Sequence, residues 1–173
     1  VKPDNATNKN VTWSSSNTSV ATVENGKIKA LKAGTATVTV SFAGDDKYKA
    51  AESKNITVTV TLNDARVSVE NDTLDLFVDD TYIINATSNP SFLTVYYTSS
   101  DESVATVTDY GIVTAVGEGT CIITLTVGND MTYAVNTTNV TVTVSKIPTE
   151  ITVDTTPLDL FVGDEIVIVA NLT

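Results

Sequence analysis

Nine asparagines stand two residues before a Ser or Thr: Asn5, Asn10, Asn17, Asn55, Asn71, Asn85, Asn136, Asn139 and Asn171, while Asn89 is excluded by Pro90. The chemistry this spacing permits is N-linked glycosylation. Fourteen Asn and forty-four Ser plus Thr in 173 residues would scatter only about 3.6 such triplets at random. The competing reading is compositional, because Thr-rich strands with Asn at their turns generate the triplet unaided. In a strand the Asn and its hydroxyl residue share a face. At Asn55, Asn85 and Asn139 that face lies opposite Ile56, Ala86 and Val140, which directs it to solvent.

Carboxylates supply the other candidate chemistry. Asp45 with Asp46, Asp79 with Asp80, and Asp101 with Glu102 form pairs, and Asp130 aligns with Asp45. Calcium wants six to eight convergent oxygens, and neither an EF-hand nor a nonapeptide spacing is present, so solvated turn carboxylates are the favoured reading. A weak calcium site between domains is the only cofactor alternative left open. The chain has no His, which removes histidine-based triads and histidine-ligated zinc sites, and it has no phosphate-cradling glycine loop. Cys121 aligns with Ala36 at an inward strand position and reads as a small core residue rather than a nucleophile. Lys27, Lys29 and Lys32 read as exposed. No catalytic, cofactor-binding or metal residue is assigned, and the chain is read as non-enzymatic.

The formal charge of −11 and a pI near 4.2, with only ten scattered Lys and Arg, argue against nucleic acid as a partner. A single Cys allows no internal disulfide, so packing alone must hold the fold. No stretch of eighteen apolar residues suggests membrane insertion, and the chain reads as an internal stretch of a longer protein.

The elements that position these groups come from a repeat. Val11, Ser15, Val20, Ala21, Thr22 and Val23 recur as Val95, Ser99, Val104, Ala105, Thr106 and Val107, a constant offset of 84. The offset is 85 where Gly26, Gly34, Thr35 and Tyr48 match Gly111, Gly119, Thr120 and Tyr133, and it returns to 84 where "NITVTV" matches "NVTVTV". "TLDLFVDDTYIINAT" from Thr73 is likewise echoed by "PLDLFVGDEIVIVAN" from Pro157. Residues 63–146 therefore read as one complete unit, residues 1–62 as a back half, and residues 147–173 as a front half.

Val and Thr in short alternating tracts predict an all-β fold. In the complete unit strands are expected at residues 65–69, 74–77, 82–87, 94–99, 105–108, 112–116, 120–127 and 140–144. Such a series fits a sandwich of two antiparallel sheets, with Val104, Val107, Ile123, Leu125, Val142 and Val144 inside. The stretch "VTWSSSNTSVATVENGKIKALKAGTATVTV", with its W-S-S-S-N, V-A-T-V and A-G-T-A-T-V-T-V runs, closely resembles the bacterial immunoglobulin-like group 2 domain. The resemblance covers essentially the whole chain and is weaker in the second copy, where Tyr97 replaces Trp13 and Glu118 replaces Ala33. It implies tandem immunoglobulin-like sandwiches, as in cell-surface adhesins, invasin-like and S-layer-associated proteins of bacteria and archaea, and no catalytic residues.

Two functions are expected to compete. One is a structural repeat of an extracellular adhesin-like protein or surface filament. The other is a module binding a cell-surface glycan or host protein through the loops at residues 45–49 and 129–133, with Tyr48 and Tyr133 as aromatic contacts unless both pack at a sandwich corner. The half-units suggest self-association head to tail. The back half leaves an apolar groove beside Val38, Val40, Val58 and Val60, and Leu158, Leu160, Phe161, Ile166, Ile168 and Ala170 offer the matching apolar set. Pairing with a neighbouring copy through a donated strand, or a continuous repetitive chain, would then build a fibre.

Overall fold

The computed structural model describes residues 11–129 and 131–172. Among them there is no helix. The residues group into two compact units. One takes those through Ser68 with Ala86–Tyr96 and Leu125–Thr138, and the other takes Val69–Asn85, Tyr97–Thr124 and those from Asn139 on.

Residues 11–62 hold β1 (Thr12–Ser15), β2 (Ala21–Glu24), β3 (Lys27–Ala30), β4 (Gly34–Phe42) and β5 (Ala51–Val60). β1, β4 and β5 form an antiparallel sheet with β5 at its edge, and β2 and β3 form a hairpin. The Thr–Val alternation sets the faces: Ala36 pairs with Val58 and Val38 with Ile56 on one side, Thr35 with Thr59 and Thr39 with Asn55 on the other. Val38 is fully buried, and Val20, Ala21 and Ala36 form a small cluster against the half-buried Val58 and Val60.

The next strands are β6 (Arg66–Val69), β7 (Thr73–Phe77), β8 (Thr81–Ile83), β9 (Ala86–Asn89), β10 (Tyr96–Ser99), β11 (Ala105–Val107), β12 (Ile112–Ala115), β13 (Gly119–Val127) and β14 (Asn136–Ser145). The sheets run β10-β13-β14-β7, β11-β12-β8 and β6-β9. β7 runs parallel to β14, pairing Leu74 with Val142 and Leu76 with Val144. Ile123, Leu125, Val127, Val140 and Val142 are completely buried, as is Val113, with Val104, Cys121 and Val144 nearly so. Val107, expected inside, is half-buried.

The run at residues 82–87 is two strands rather than one. The chain leaves β8, paired with β12, and enters β9, paired with β6. At the switch Ile84 is buried and donates its amide to Gly111 O at 2.9 Å. Alternating hydrophobicity carries through this change of sheet, so the pattern alone merges the two strands. The strand expected from residue 94 begins at Tyr96.

Among the described residues from 147 on, β15 (Ile151–Val153) and β16 (Ala170–Leu172) are the strands, paired as Thr152 with Asn171. With the 84-residue offset this repeats the β6–β9 pairing, where Ser68 and Thr87 hydroxyls lie 2.8 Å apart. The turn after Phe77 also recurs. Asp80 Oδ2 accepts from Phe77 N and Asp164 Oδ2 from Phe161 N, both at 2.8 Å, and the positive-φ residue is Asp79 in one copy and Gly163 in the other. Leu158, Leu160, Phe161, Ile166 and Ile168 are exposed and lie outside strands, whereas Ala170 is in β16. The counterparts of Leu158, Leu160, Phe161 and Ile166 are held in β7 and β8 by β14 and β12.

Candidate functional site

The paired carboxylates serve their own turns. Asp101 Oδ1 accepts from Ser103 Oγ at 2.6 Å and Ser103 N at 2.9 Å, and Asn17 Oδ1 does the same for Ser19 at 2.6 and 3.1 Å. These bonds, the Ser103 hydroxyl first, hold the Asp101 carboxyl below its ordinary range, and the Thr156 hydroxyl and amide do so for Asp154. Asp45 Oδ1 accepts from Lys47 N and Tyr48 N, and Asn129 Oδ1 from Met131 N, Thr132 N and Tyr133 N. Asn129 thus takes the place of Asp45, correcting the alignment with Asp130, which lies outside the described residues. A carboxamide oxygen caps a turn as a carboxylate does. Among the described residues no three acidic or thiol side chains converge on a point.

Cys121 is buried, with Ser99 Oγ 3.9 Å from its sulfur, and Ala36 is equally buried at the matching place. Trp13 packs against Gly26 and Tyr97 against Gly111, so the Tyr keeps the role of the Trp. Burial raises the Tyr97 phenol above its usual value. Tyr48 and Tyr133 are half-buried, and Tyr133 meets Phe92 edge-on at 5.7 Å between ring centres. Lys27, Lys29 and Lys32 are exposed.

Of the Asn-x-Ser/Thr sites, Asn17, Asn55, Asn71, Asn85, Asn139 and Asn171 are exposed. Asn5 and Asn10 lie outside the described residues. Asn136 is half-buried, with Oδ1 accepting from Val67 N at 3.0 Å, which sets it apart from the other sites. Asn55 Oδ1 accepts from Thr39 Oγ1 at 2.8 Å and Asn139 Oδ1 from Thr124 Oγ1 at 3.0 Å. These matching bonds use the amide oxygen and not the nitrogen to which a glycan attaches. Asn71 Nδ2 donates to Tyr82 Oη at 2.9 Å and Asn85 Nδ2 to Glu70 Oε2 at 3.4 Å. Val140 is buried behind Asn139, but Ile56 behind Asn55 is 44% exposed. Both faces of β5 are therefore open at that point.

The largest departure from an ordinary domain surface is apolar. Ile28 is 38% exposed where Val113 is fully buried, and it lines a depression of about 690 Å³ with Thr22, Glu24, Asn25, Lys27 and Lys29. Val58 and Val60 are half-buried where Val142 and Val144 are covered by β7. Val40, Val58 and Val60, expected to border an apolar groove together with Val38, are half-buried, whereas Val38 is fully buried.

The sequence is 38% identical over 133 residues to an uncharacterized protein of Clostridium acetobutylicum, covering 75% of this chain and 13% of that protein. The chain thus spans about an eighth of the curated relative it matches. Among solved structures, that of the S-layer protein SbsC is 23% identical, with a TM-score of 0.40, over 83% of this chain and 21% of the other. The structure of SbsC domains 1–6 is 21% identical, with a TM-score of 0.40, over 94% and 28%. The family described as bacterial Ig-like domain (group 2) matches residues 1–51 and 56–137. All-β, built on a repeated pattern and matched over most of its length, the chain belongs to the bacterial Ig-like domain (group 2) family.

Proposed function

We propose that this chain is a structural repeat of an extracellular, cell-surface protein, working by stacking sandwich units rather than by catalysis. Residues 63–146 are the complete unit, residues 1–62 a back half and residues 147–173 a front half. Units join head to tail, either along one continuous repetitive chain or through strands donated between copies. The observation that carries this reading is the recurrence, at an offset of 84, of hydrogen bonds that hold individual turns: Asn17 and Asp101, Asp80 and Asp164. Local geometry conserved between units, over a chain that offers no convergent reactive groups among its described residues, favours a mechanical role. The loop-binding reading has less support, because Tyr133 spends its ring on Phe92.

A cell-surface location exposes the Asn-x-Ser/Thr sites to glycosylation. Peptide mass spectrometry of protein from its native host should find glycans on some of the exposed Asn17, Asn55, Asn71, Asn85, Asn139 and Asn171, and lowest occupancy at the half-buried Asn136. Unmodified Asn at every site would remove glycosylation from the account. Recovery of the protein only from the cell interior would reject the location.

A further inference from the structure

The chain passes from β5 to β6 through residues 61–65, with no Gly or Pro among them. A connection this short between two repeats sets how freely they move, and its backbone polar groups need partners. Three polar groups of Asn63 find theirs in one loop, sixty-nine residues further on. Its amide donates to Thr132 O at 2.9 Å, its Nδ2 donates to the same oxygen at 3.1 Å, and its carbonyl accepts from Ala134 N at 2.9 Å. Asn63 and Tyr133 thereby form a parallel bridge. Val67 N then donates to Asn136 Oδ1 at 3.0 Å, so the chain runs alongside residues 132–136 as it enters β6.

The loop that receives Asn63 is held in shape by its own bonds. Asn129 Oδ1 accepts from the amides of Met131, Thr132 and Tyr133, and Asn129 N donates to Tyr133 O at 3.1 Å. Gly128 has φ +97, and a Cβ there would lie 2.4 Å from Ala134 O, so the loop closes this tightly only around glycine. Phe92 braces Tyr133 from the side. Together these contacts fix the direction of Thr132 O. The loop recurs at Gly44, of φ +87, where Asp45 Oδ1 accepts from Lys47 N and Tyr48 N, and Asp45 N donates to Tyr48 O at 2.8 Å.

Packing adds little at this place. Leu31, Val60, Leu62 and Met131 line a notch of about 230 Å³, and Met131 is 75% and Leu31 49% exposed. The hydrogen bonds therefore carry the joint. All of these residues belong to the one compact unit that holds β1 to β5 together with Ala86–Tyr96 and Leu125–Thr138. We infer that Asn63 is a lock: gripping the 129–134 loop through three bonds, it stiffens the joint between the strands of residues 11–62 and the sandwich that follows. Tension then passes along the chain without bending at residues 61–65. This deepens the stacking reading of the chain and rests on it.

Pulsed electron paramagnetic resonance on the full chain reads the lock, with nitroxides at Thr35→Cys and Thr137→Cys, both exposed strand positions, in a Cys121→Ala background. A narrow distance distribution is expected. Asn63→Pro removes both donors to Thr132 O, and Asn129→Ala releases the three amides that shape the loop, so each should broaden the distribution about twofold or more. Asn63→Ala, which keeps the backbone bonds, should broaden it less. Unshifted NMR signals of the buried Ile123, Leu125 and Val127 show that the complete unit stays folded. Where Asn63→Pro disturbs them, Asn63→Ala and Asn129→Ala decide. A broad distribution without any joint substitution, or a width that none of the three changes, would overturn the lock. Either failure leaves the stacking of units standing, because that reading falls on different evidence, recovery of the protein only from the cell interior.

Discussion

Ile123→Asp should leave the complete unit without a cooperative melt at neutral pH. Ile123 sits at the middle of β13, is 0% exposed, and has Cys121 and Leu125 buried two residues to either side. An unpaired carboxylate there costs several kcal/mol through lost hydration, and the missing apolar side chain adds about 2–5 kcal/mol. Together these match the roughly 5–15 kcal/mol that holds a whole domain. Burial would raise the folded-state pKa of the new carboxyl above its unfolded value. The destabilisation is therefore least below the unfolded pKa, where both states are protonated, and grows as pH rises through that value toward the folded one. Circular dichroism melts across pH measure this, with Ile122→Asp as the control because Ile122 is 41% exposed on the opposite face. A neutral-pH melt of Ile123→Asp as sharp and as high as that of the control would refute the core assignment.

Gly119→Ala should lower the melting temperature of the same unit by roughly 10–20 °C, from a cost of about 3 kcal/mol. Gly119 has φ +154, and a Cβ there would stand 2.8 Å from Val104 Cγ2, inside any real contact distance. Val104 is itself 7% exposed and has little room to withdraw. Gly34 in the back half, with φ +148, stands in the same relation to Val20 at 2.9 Å. Adding Val104→Ala removes the opposing methyl and should recover part of the loss, leaving the backbone component. A thermal melt of Gly119→Ala indistinguishable from the unsubstituted chain would show that neither the contact nor the backbone conformation matters.

The strands were legible in the sequence because Thr–Val alternation is a property of residue type and spacing alone. The recurring turns were legible to the extent that Gly and Asp mark them. What escaped were matters of partner choice. The break at Ile84 is invisible because the chain changes sheets without changing its hydrophobic period. Asn129 was passed over for Asp130 because charge drew attention where only an acceptor oxygen was needed. The openness behind Ile56 could not be read from β5, whose pattern matches that of the buried β14. It depends on what lies across from it.

Completion of residues 11–62 by front strands of the repeat has its most direct readout along the edge of β5. Thr141 N donates to Asp72 O just before β7, and the parallel ladder continues through Thr143 and Ser145. The corresponding donors, at an offset of 84, are Thr57 and Thr59 of β5 and Thr61 just beyond it. Hydrogen exchange followed by NMR should show these three amides slowing by about tenfold or more when a copy of residues 147–173 is fused ahead of residue 1. Those of Ile56 and Val58, on the β4 side of the strand, should change little. Exchange at Thr57, Thr59 and Thr61 that stays fast in the fused chain, or that is already slow without the fusion, would contradict completion by these strands.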